Sequence, residues 1–276
     1  EPIGRFTGCP CCGVVPWLKA AGRLRAEDAV VLERLGGGRR GALKIAIPVL
    51  SRIANFDDFD PLAAEPDIEL VYVRGGDRLP SDAGLLILPG SKSTIGDLQD
   101  FRAQGWDKDL LAHVRRGGRV IGICGGYQML GRSVADPLGL EGESRTVEGL
   151  GLLDVDTVMA PEKTVRNSRA HSLEFDTPLS GYEIHLGVTD GPDCARAAVM
   201  IEGRPDGALS KDGRVMGSYL HGLFASDSYR ARLLESFGIS GGGSDYRAMV
   251  DAALDELAKE LEARLSPAWL QSWLAR

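Results

Sequence analysis

Histidine and cysteine are scarce in this chain, four and five residues among 276. Five thiols in that length make no disulfide framework, so a reducing cytoplasm is the expected compartment. Basic residues are in the minority, 32 Lys and Arg against 39 Asp and Glu, for a net charge of −7. That deficit argues against a nucleic-acid backbone or an anionic membrane as the main partner. No apolar run approaches the roughly 18 residues of a membrane span. The opening stretch, Glu1 to Gly8, is neither basic nor apolar and does not read as a signal peptide. Because the chain opens on Glu1 rather than Met, it is expected to be processed or to be a piece of something longer. Core material is plentiful: 43% of residues are hydrophobic and 26% charged, enough for one large domain or two small ones and too apolar for disorder.

The first 40 residues do not read as a complete unit. Gly13 to Leu18 suggests a short buried strand interrupted by Pro16, and Ala26 to Leu35 a short helix. A glycine- and arginine-rich break, Gly36 to Gly41, follows and marks a boundary. Beyond it, strands are expected at Lys44–Leu50, Ile68–Val73, Leu85–Leu88 and Arg119–Cys124. A helical stretch at Asp97–Arg115 lies between the last two. Continuous apolar strands separated by helices imply an α/β fold, a mostly parallel sheet with helices on both faces. Further strands are expected at Leu150–Val158, Ala197–Ile201 and Val215–Leu220. A terminal helix carries Tyr246, Val250, Leu254, Leu257, Leu261 and Leu265 on one stripe, and Trp269 and Trp273 read as packing residues.

The strongest chemical signal is Gly122-Ile-Cys124-Gly-Gly126, at the end of a buried strand and the start of a helix. This is the glycine–x–nucleophile–x–glycine elbow with cysteine in place of serine. Glycines are needed because the turn is sharp and its walls press on the nucleophile's backbone. At a helix N-terminus the dipole favours thiolate, and the N–H of Gly125 can donate to an oxyanion. The bland alternative is a buried structural thiol at a tight turn. A thiolate needs a proton partner, for which there are four histidines. His113 is expected to face solvent and His171 to lie in a loop. His185 ends a strand, and so does His221, beside Gly222. Because sites in open α/β sheets form at strand carboxyl ends, His221 is the preferred partner and His185 the second choice.

Pro89-Gly-Ser-Lys-Ser-Thr94 resembles a phosphate loop but lacks its glycines: Ser91 and Leu86 occupy the required positions. It reads instead as a turn offering a second oxyanion donor, from Gly90 or Ser91. Cys9, Cys11 and Cys12 have no second pair or nearby histidine to complete a tetrahedral site, so no metal is expected. Cys194 reads as a lone structural thiol.

Taken together, Leu88-Pro-Gly-Ser-Lys-Ser-Thr94, Gly122 to Gly131, Asp136-Pro-Leu-Gly139, Val147 to Leu153, Gly181-Tyr-Glu-Ile-His185 and Tyr219-Leu-His-Gly-Leu-Phe224 resemble the glutamine amidotransferase domain of the cobyric acid synthase family. The resemblance runs in order from about Lys44 to Phe237. Gly13-Val-Val-Pro16 and Ala26-Glu-Asp28 are similar to the tail of that family's ATP-dependent synthetase domain. It implies three segments: a synthetase remnant with linker (1–41), the amidotransferase domain (42–237) and a helical tail (238–276). The architecture implied is flavodoxin-like, that of class I amidotransferases.

The resemblance also implies a reaction. Cys124 hydrolyses glutamine with His221 as its partner, and the ammonia amidates four carboxylates, b, d, e and g, of adenosylcobyrinic acid a,c-diamide. Gly90 and Gly125 fall at the oxyanion donors and Gln128 where the class holds glutamine. No cofactor is implied in this chain; ATP and Mg²⁺ belong to the absent synthetase domain, which also meets the corrin. The wider class carries a glutamate two residues after the histidine, where this chain has Leu223, as the cobyric acid branch does. A third catalytic residue is therefore open, with Glu183 as one candidate and His185 as a possible accessory. Competing readings are a related amidotransferase (cobyrinic acid a,c-diamide synthase or the partner of a cell-wall ligase), a silent docking domain, and a cysteine peptidase on the same scaffold.

Overall fold

In the computed structural model, residues 2–8, 11, 13–24, 41–240, 242–265 and 271 are described. The expected helix at Ala26–Leu35, the break from Gly36 to Arg40, and Cys9, Cys12, Trp269 and Trp273 lie outside them. Two compact units result, residues 28–244 and residues 1–27 with 245–276.

The larger unit is built on a six-stranded sheet. Its spatial order is Ala208–Leu209, Val215–Ser218, Arg119–Ile123, Leu85–Leu88, Leu43–Pro48, Ile68–Val73, and only the first strand is antiparallel to its neighbour. Two strands run over the bounds expected from sequence, Ile68–Val73 and Leu85–Leu88. Both are short apolar runs with breakers on either side. Side chains alternate across the sheet, as a pleat requires. Leu85 and Ile87 enter one core layer, Leu86 and Leu88 the other.

Helices Thr94–Ala103, Trp106–Arg115 and Gly125–Leu130 contribute Leu98, Phe101, Trp106, Leu110, Tyr127 and Met129 to the second layer. The single helix expected over 97–115 is two helices. Gly105, at φ +75°, breaks them, and Trp106 then folds back edge-on to Phe101 with ring centroids 5.6 Å apart.

The opposite face is covered by a second sheet, in which strands ending at His185 and Ile201 are expected from the sequence and Thr164–Ser172 is not. A hairpin of Thr164–Ser172 and Thr177–His185 pairs through all nine residues, with Val199–Ile201 on one side and Leu220–His221 on the other. Leu179, Val199, Ile201 and Leu220 pack there with helix Asp227–Glu235. A third sheet joins Ser133–Asp136, Arg145–Glu148, Asp156–Val158 and Val188–Asp190. The strand expected over 150–158 is confined to Asp156–Val158. Its apolar residues instead serve the elbow helix: the N–H groups of Leu150 and Leu152 donate to the carbonyls of Met129 and Leu130 at 2.8 and 2.9 Å. A short helix end leaves such carbonyls without partners, and this segment supplies them.

In the smaller unit, helix Tyr246–Arg264 starts at Asp245, whose carboxylate accepts from the Ala248 N–H at 2.8 Å. Its expected apolar stripe is only partly covered: Tyr246 is buried, whereas Leu254 and Leu261 are exposed. Residues 13–18 form no strand, and Val14 and Trp17 are exposed, contrary to the buried strand expected. Among the described residues, no helix is long and apolar enough to cross a membrane.

Candidate active site

Strand Arg119–Ile123 ends at Cys124, which takes φ 53°, ψ −111° and starts helix Gly125–Leu130. That backbone is costly for a non-glycine residue and is stored here by close packing. A Cβ on Gly126 would lie 2.1 Å from the Leu88 carbonyl oxygen, so the elbow sits directly on the neighbouring strand. The Cys124 thiol donates to the Ile184 carbonyl at 3.3 Å.

Gly90 pairs with Ala54 in a two-residue antiparallel bridge, and the Lys92 N–H donates to Arg52 at 2.9 Å. Alternation along that bridge commits the Gly90 N–H to Ala54 and turns the Ser91 N–H the other way. A Cβ on Gly125 would lie 2.9 Å from the Ser91 nitrogen. Of the two donors considered, Gly90 and Ser91, the geometry therefore faces Ser91 toward the elbow. Gly90 instead makes room, since a Cβ there would sit 3.3 Å from His221 Cε1.

His221 ends strand Leu220–His221 and is fully buried. Its Nδ1 lies 2.7 Å from Asp58 Oδ2, and Asp58 Oδ1 accepts the Gly222 N–H at 2.8 Å. Its ring stacks on Tyr182, with centroids 5.0 Å apart and planes within 11°. The Tyr182 hydroxyl accepts from Asn55 at 2.6 Å. His221 Nε2 is buried with no partner at full hydrogen-bond geometry. The Cys124 sulfur is nonetheless close enough to affect the ring. Burial alone would lower the His221 pKa, but Asp58 and Cys124 outweigh it and raise it to about 10.

Asp58 was not picked out from sequence. It lies in the 3₁₀ turn Phe56–Phe59, 163 residues before His221. The available signal was a cluster of three aspartates, Asp57, Asp58 and Asp60, shortly after a strand carboxyl end.

Glu183, the third residue considered, faces elsewhere. Burial would raise its pKa, but Arg166, Arg204 and Ser168 donate to its carboxylate and hold it below its ordinary value. His185 lies 4.0 Å from that carboxylate and stacks on Tyr219 with centroids 3.8 Å apart. Burial lowers its pKa and keeps it neutral. The expectations for the other two histidines are corrected. His113 is buried and bonded to the Arg119 carbonyl at 2.9 Å, because its helix turns that face onto the sheet. His171 lies in the hairpin strand and is bonded to Asp176 at 2.6 Å.

Beside Cys124 opens a cavity of about 340 Å³ whose wall includes Lys92, Gln128, Glu141, Lys163 and His185. Gln128 forms part of this wall with both ends of its amide engaged. Its oxygen accepts from Thr94 at 2.7 Å, and its nitrogen donates to the Leu186 carbonyl at 2.9 Å and to the Tyr219 hydroxyl at 3.2 Å. Buried Asp136 accepts the N–H groups of Leu140 and Glu141. This turn presents Glu141, whose carboxylate accepts from Thr94 and Ile95 at the start of their helix, both at 2.9 Å. Among the described residues, no group of three His, Cys, Asp or Glu side chains is placed to hold a metal ion. Cys11 is an exposed free thiol, and Cys194 lies 3.7 Å from the Tyr127 hydroxyl.

Residues 44–229 match the CobB/CobQ-like glutamine amidotransferase domain family. Over 272 residues, 99% of this chain, it is 74% identical to the cobyric acid synthase of Rhizobium rhizogenes and 71% identical to that of Rhizobium meliloti. The chain spans only 56% of the length of each of these relatives. Among solved structures, a glutamine amidotransferase aligns with a TM-score of 0.50 at 17% identity, covering 71% of this chain and 99% of that one. That likeness supports the fold expected from sequence, a class I amidotransferase-like α/β architecture.

Proposed function

The chain belongs to the CobB/CobQ-like glutamine amidotransferase family, and from that premise we propose that it is the glutamine-hydrolysing part of a cobyric acid synthase. One observation carries the reading: a cysteine on a strained elbow opens onto an amino-acid-sized cavity, next to a buried histidine with one ring nitrogen held by a carboxylate. Lys92 and Lys163 in the cavity wall provide cations for the carboxylate of a free amino acid.

In this mechanism the Cys124 proton resides on His221 Nε2, as the raised pKa of the ring favours, and the sulfur attacks the side-chain amide carbon of glutamine. The oxyanion takes hydrogen bonds from the N–H groups of Ser91 and Gly125. The His221 imidazolium protonates the amide nitrogen, the carbon–nitrogen bond breaks, and ammonia leaves a thioester on Cys124. His221 then takes a proton from water as the water attacks the thioester, which releases glutamate and returns the starting pair.

The ammonia serves an ATP- and Mg²⁺-dependent site in the part of the longer protein outside this chain. There it amidates carboxylates b, d, e and g of adenosylcobyrinic acid a,c-diamide, in the cytoplasm. The test is Cys124→Ser in the full-length protein. Glutamine-dependent amidation is expected to vanish and ammonia-dependent amidation to persist. Undiminished glutamine hydrolysis in that variant would overturn the reading.

A further inference from the structure

We propose that Asp58 is the positioning carboxylate of this site, holding His221 in the one tautomer whose Nε2 can take the thiol proton. The proposal rests on the cysteine–histidine reading above, and it fills the role left open by Leu223.

The argument begins with hydrogen-bond inventory. An ionised carboxylate only accepts, so a ring nitrogen 2.7 Å from it must be the donor. The neutral imidazole then carries its proton on Nδ1, and the Nε2 lone pair is free. No other group competes for Nε2 at hydrogen-bond geometry. The carboxylate is itself held: its second oxygen accepts the Gly222 N–H, the amide next to the ring it orients. Both partners are almost fully buried, which strengthens their attraction and excludes water from the pair. The same segment also fixes the plane of the ring, because Asn55 donates to the Tyr182 hydroxyl and Tyr182 stacks on His221.

The other ionisable groups around His221 do not serve this role. Glu183, on the neighbouring strand, is committed to Arg166, Arg204 and Ser168. His185 is neutral and turned to Tyr219 and Gly187. Cys124 is the reacting partner. The raised pKa of His221 agrees with the geometry, since an imidazolium formed during the reaction has its counter-charge in place.

The test is Asp58→Asn in the full-length protein that carries this chain. An asparagine can still accept from Gly222, but its amide nitrogen donates to Nδ1 and moves the ring proton to Nε2. Glutaminase kcat is expected to fall by roughly 10²–10⁴-fold, with KM little changed. The alkaline limb of kcat/KM should move to lower pH, because the imidazolium is no longer held. Ammonia-dependent amidation by the same preparation should be unchanged, and Asp58→Glu should recover part of the loss. A merely structural role would lower activity without moving the pH limb.

A fall of less than about tenfold with an unmoved limb would overturn the proposal while leaving the cysteine–histidine reading intact. If instead the unmutated protein does not hydrolyse glutamine, that reading fails first. A second measurement needs neither a variant nor turnover: nitrogen-15 NMR of His221 in the unmutated protein. Nδ1 is expected to be protonated across the neutral range, and an unprotonated Nδ1 would overturn the assignment of Asp58.

Discussion

The turn at Cys124 is shaped by glycines adjacent in sequence, whereas the orientation of His221 is set by residues as far as 163 positions away. The elbow needs Gly122, Gly125 and Gly126, all within two residues of the thiol, and the strand it leaves is a plain apolar run. The histidine needs Asp58 from a 3₁₀ turn far back in the chain and Tyr182 from the neighbouring strand of its own sheet. Local devices leave a motif in the sequence. Devices assembled from distant segments leave only separate polar residues, each with many possible partners.

The largest effect expected to test this contrast separates two histidines that look alike in sequence. His221→Ala should lower glutaminase kcat roughly 10²–10⁴-fold, as loss of general acid–base catalysis does. His185→Ala should act mainly on KM, since its ring lines the cavity but is neutral and faces Tyr219. Steady-state kinetics on both variants decide it, and a reversed order would show that the wrong strand end was chosen.

A smaller effect is expected on the local side. Gly126→Ala drives a Cβ against the Leu88 carbonyl oxygen, backbone that cannot swing aside. The loss of stability should be about 1–3 kcal/mol, the usual cost of overpacking, read by urea unfolding. Glutaminase activity should fall with it, because the same shift moves Cys124.

His113→Ala should cost a comparable or smaller amount of stability, roughly 1–3 kcal/mol for an orphaned Arg119 carbonyl, and leave kcat unchanged. Equal kcat and a lower urea midpoint would separate this buried histidine from the proposed Cys124–His221 pair.

A separate effect is in the pH dependence of stability, where His221 and His113 pull in opposite directions. The folded-state pKa of His221 is raised from 6.5 to about 10. Its contribution to stability is therefore full below 6.5 and is lost as pH rises through about 10. Burial lowers the pKa of His113, so its contribution is present above 6.5 and is lost as pH falls below that value. His221→Ala should flatten the alkaline side of the stability profile and His113→Ala the acid side. Unfolding midpoints across pH would show whether the two sides can be separated in this way.

Much of the fold was legible because the central strands are buried on both faces. A strand covered on both sides must be apolar at consecutive positions, and Leu85 to Leu88 announces itself. The first strand of the hairpin was not legible, because Thr164–Ser172 reads as polar loop: Arg166, Asn167, Arg169 and His171 dominate it. Its ladder comes from pairing with Thr177–His185 and from the apolar layer beneath, neither visible in the strand alone. The apolar residues of 150–155 misled in the opposite sense. They are buried, but beneath the elbow helix rather than in a ladder. In the same way, the arginines beside His113 suggested solvent, while the helix turned the histidine inward.

By itself the sequence determined the α/β order and the glycine-flanked turn at Cys124, and it pointed to His221 by its place at a strand end. Each depends on residues close together in the chain, under rules of strand burial, turn geometry and strand-end position that act locally. Tertiary structure alone decided that Asp58 faces His221, that Ser91 rather than Gly90 turns its N–H to the elbow, and that Glu183 belongs to Arg166 and Arg204. These are choices among partners of similar chemistry, and the physical reason is packing. Once the sheets stack, a buried polar group bonds whichever partner the fold brings within about 3 Å, and sequence distance has no bearing on which one that is.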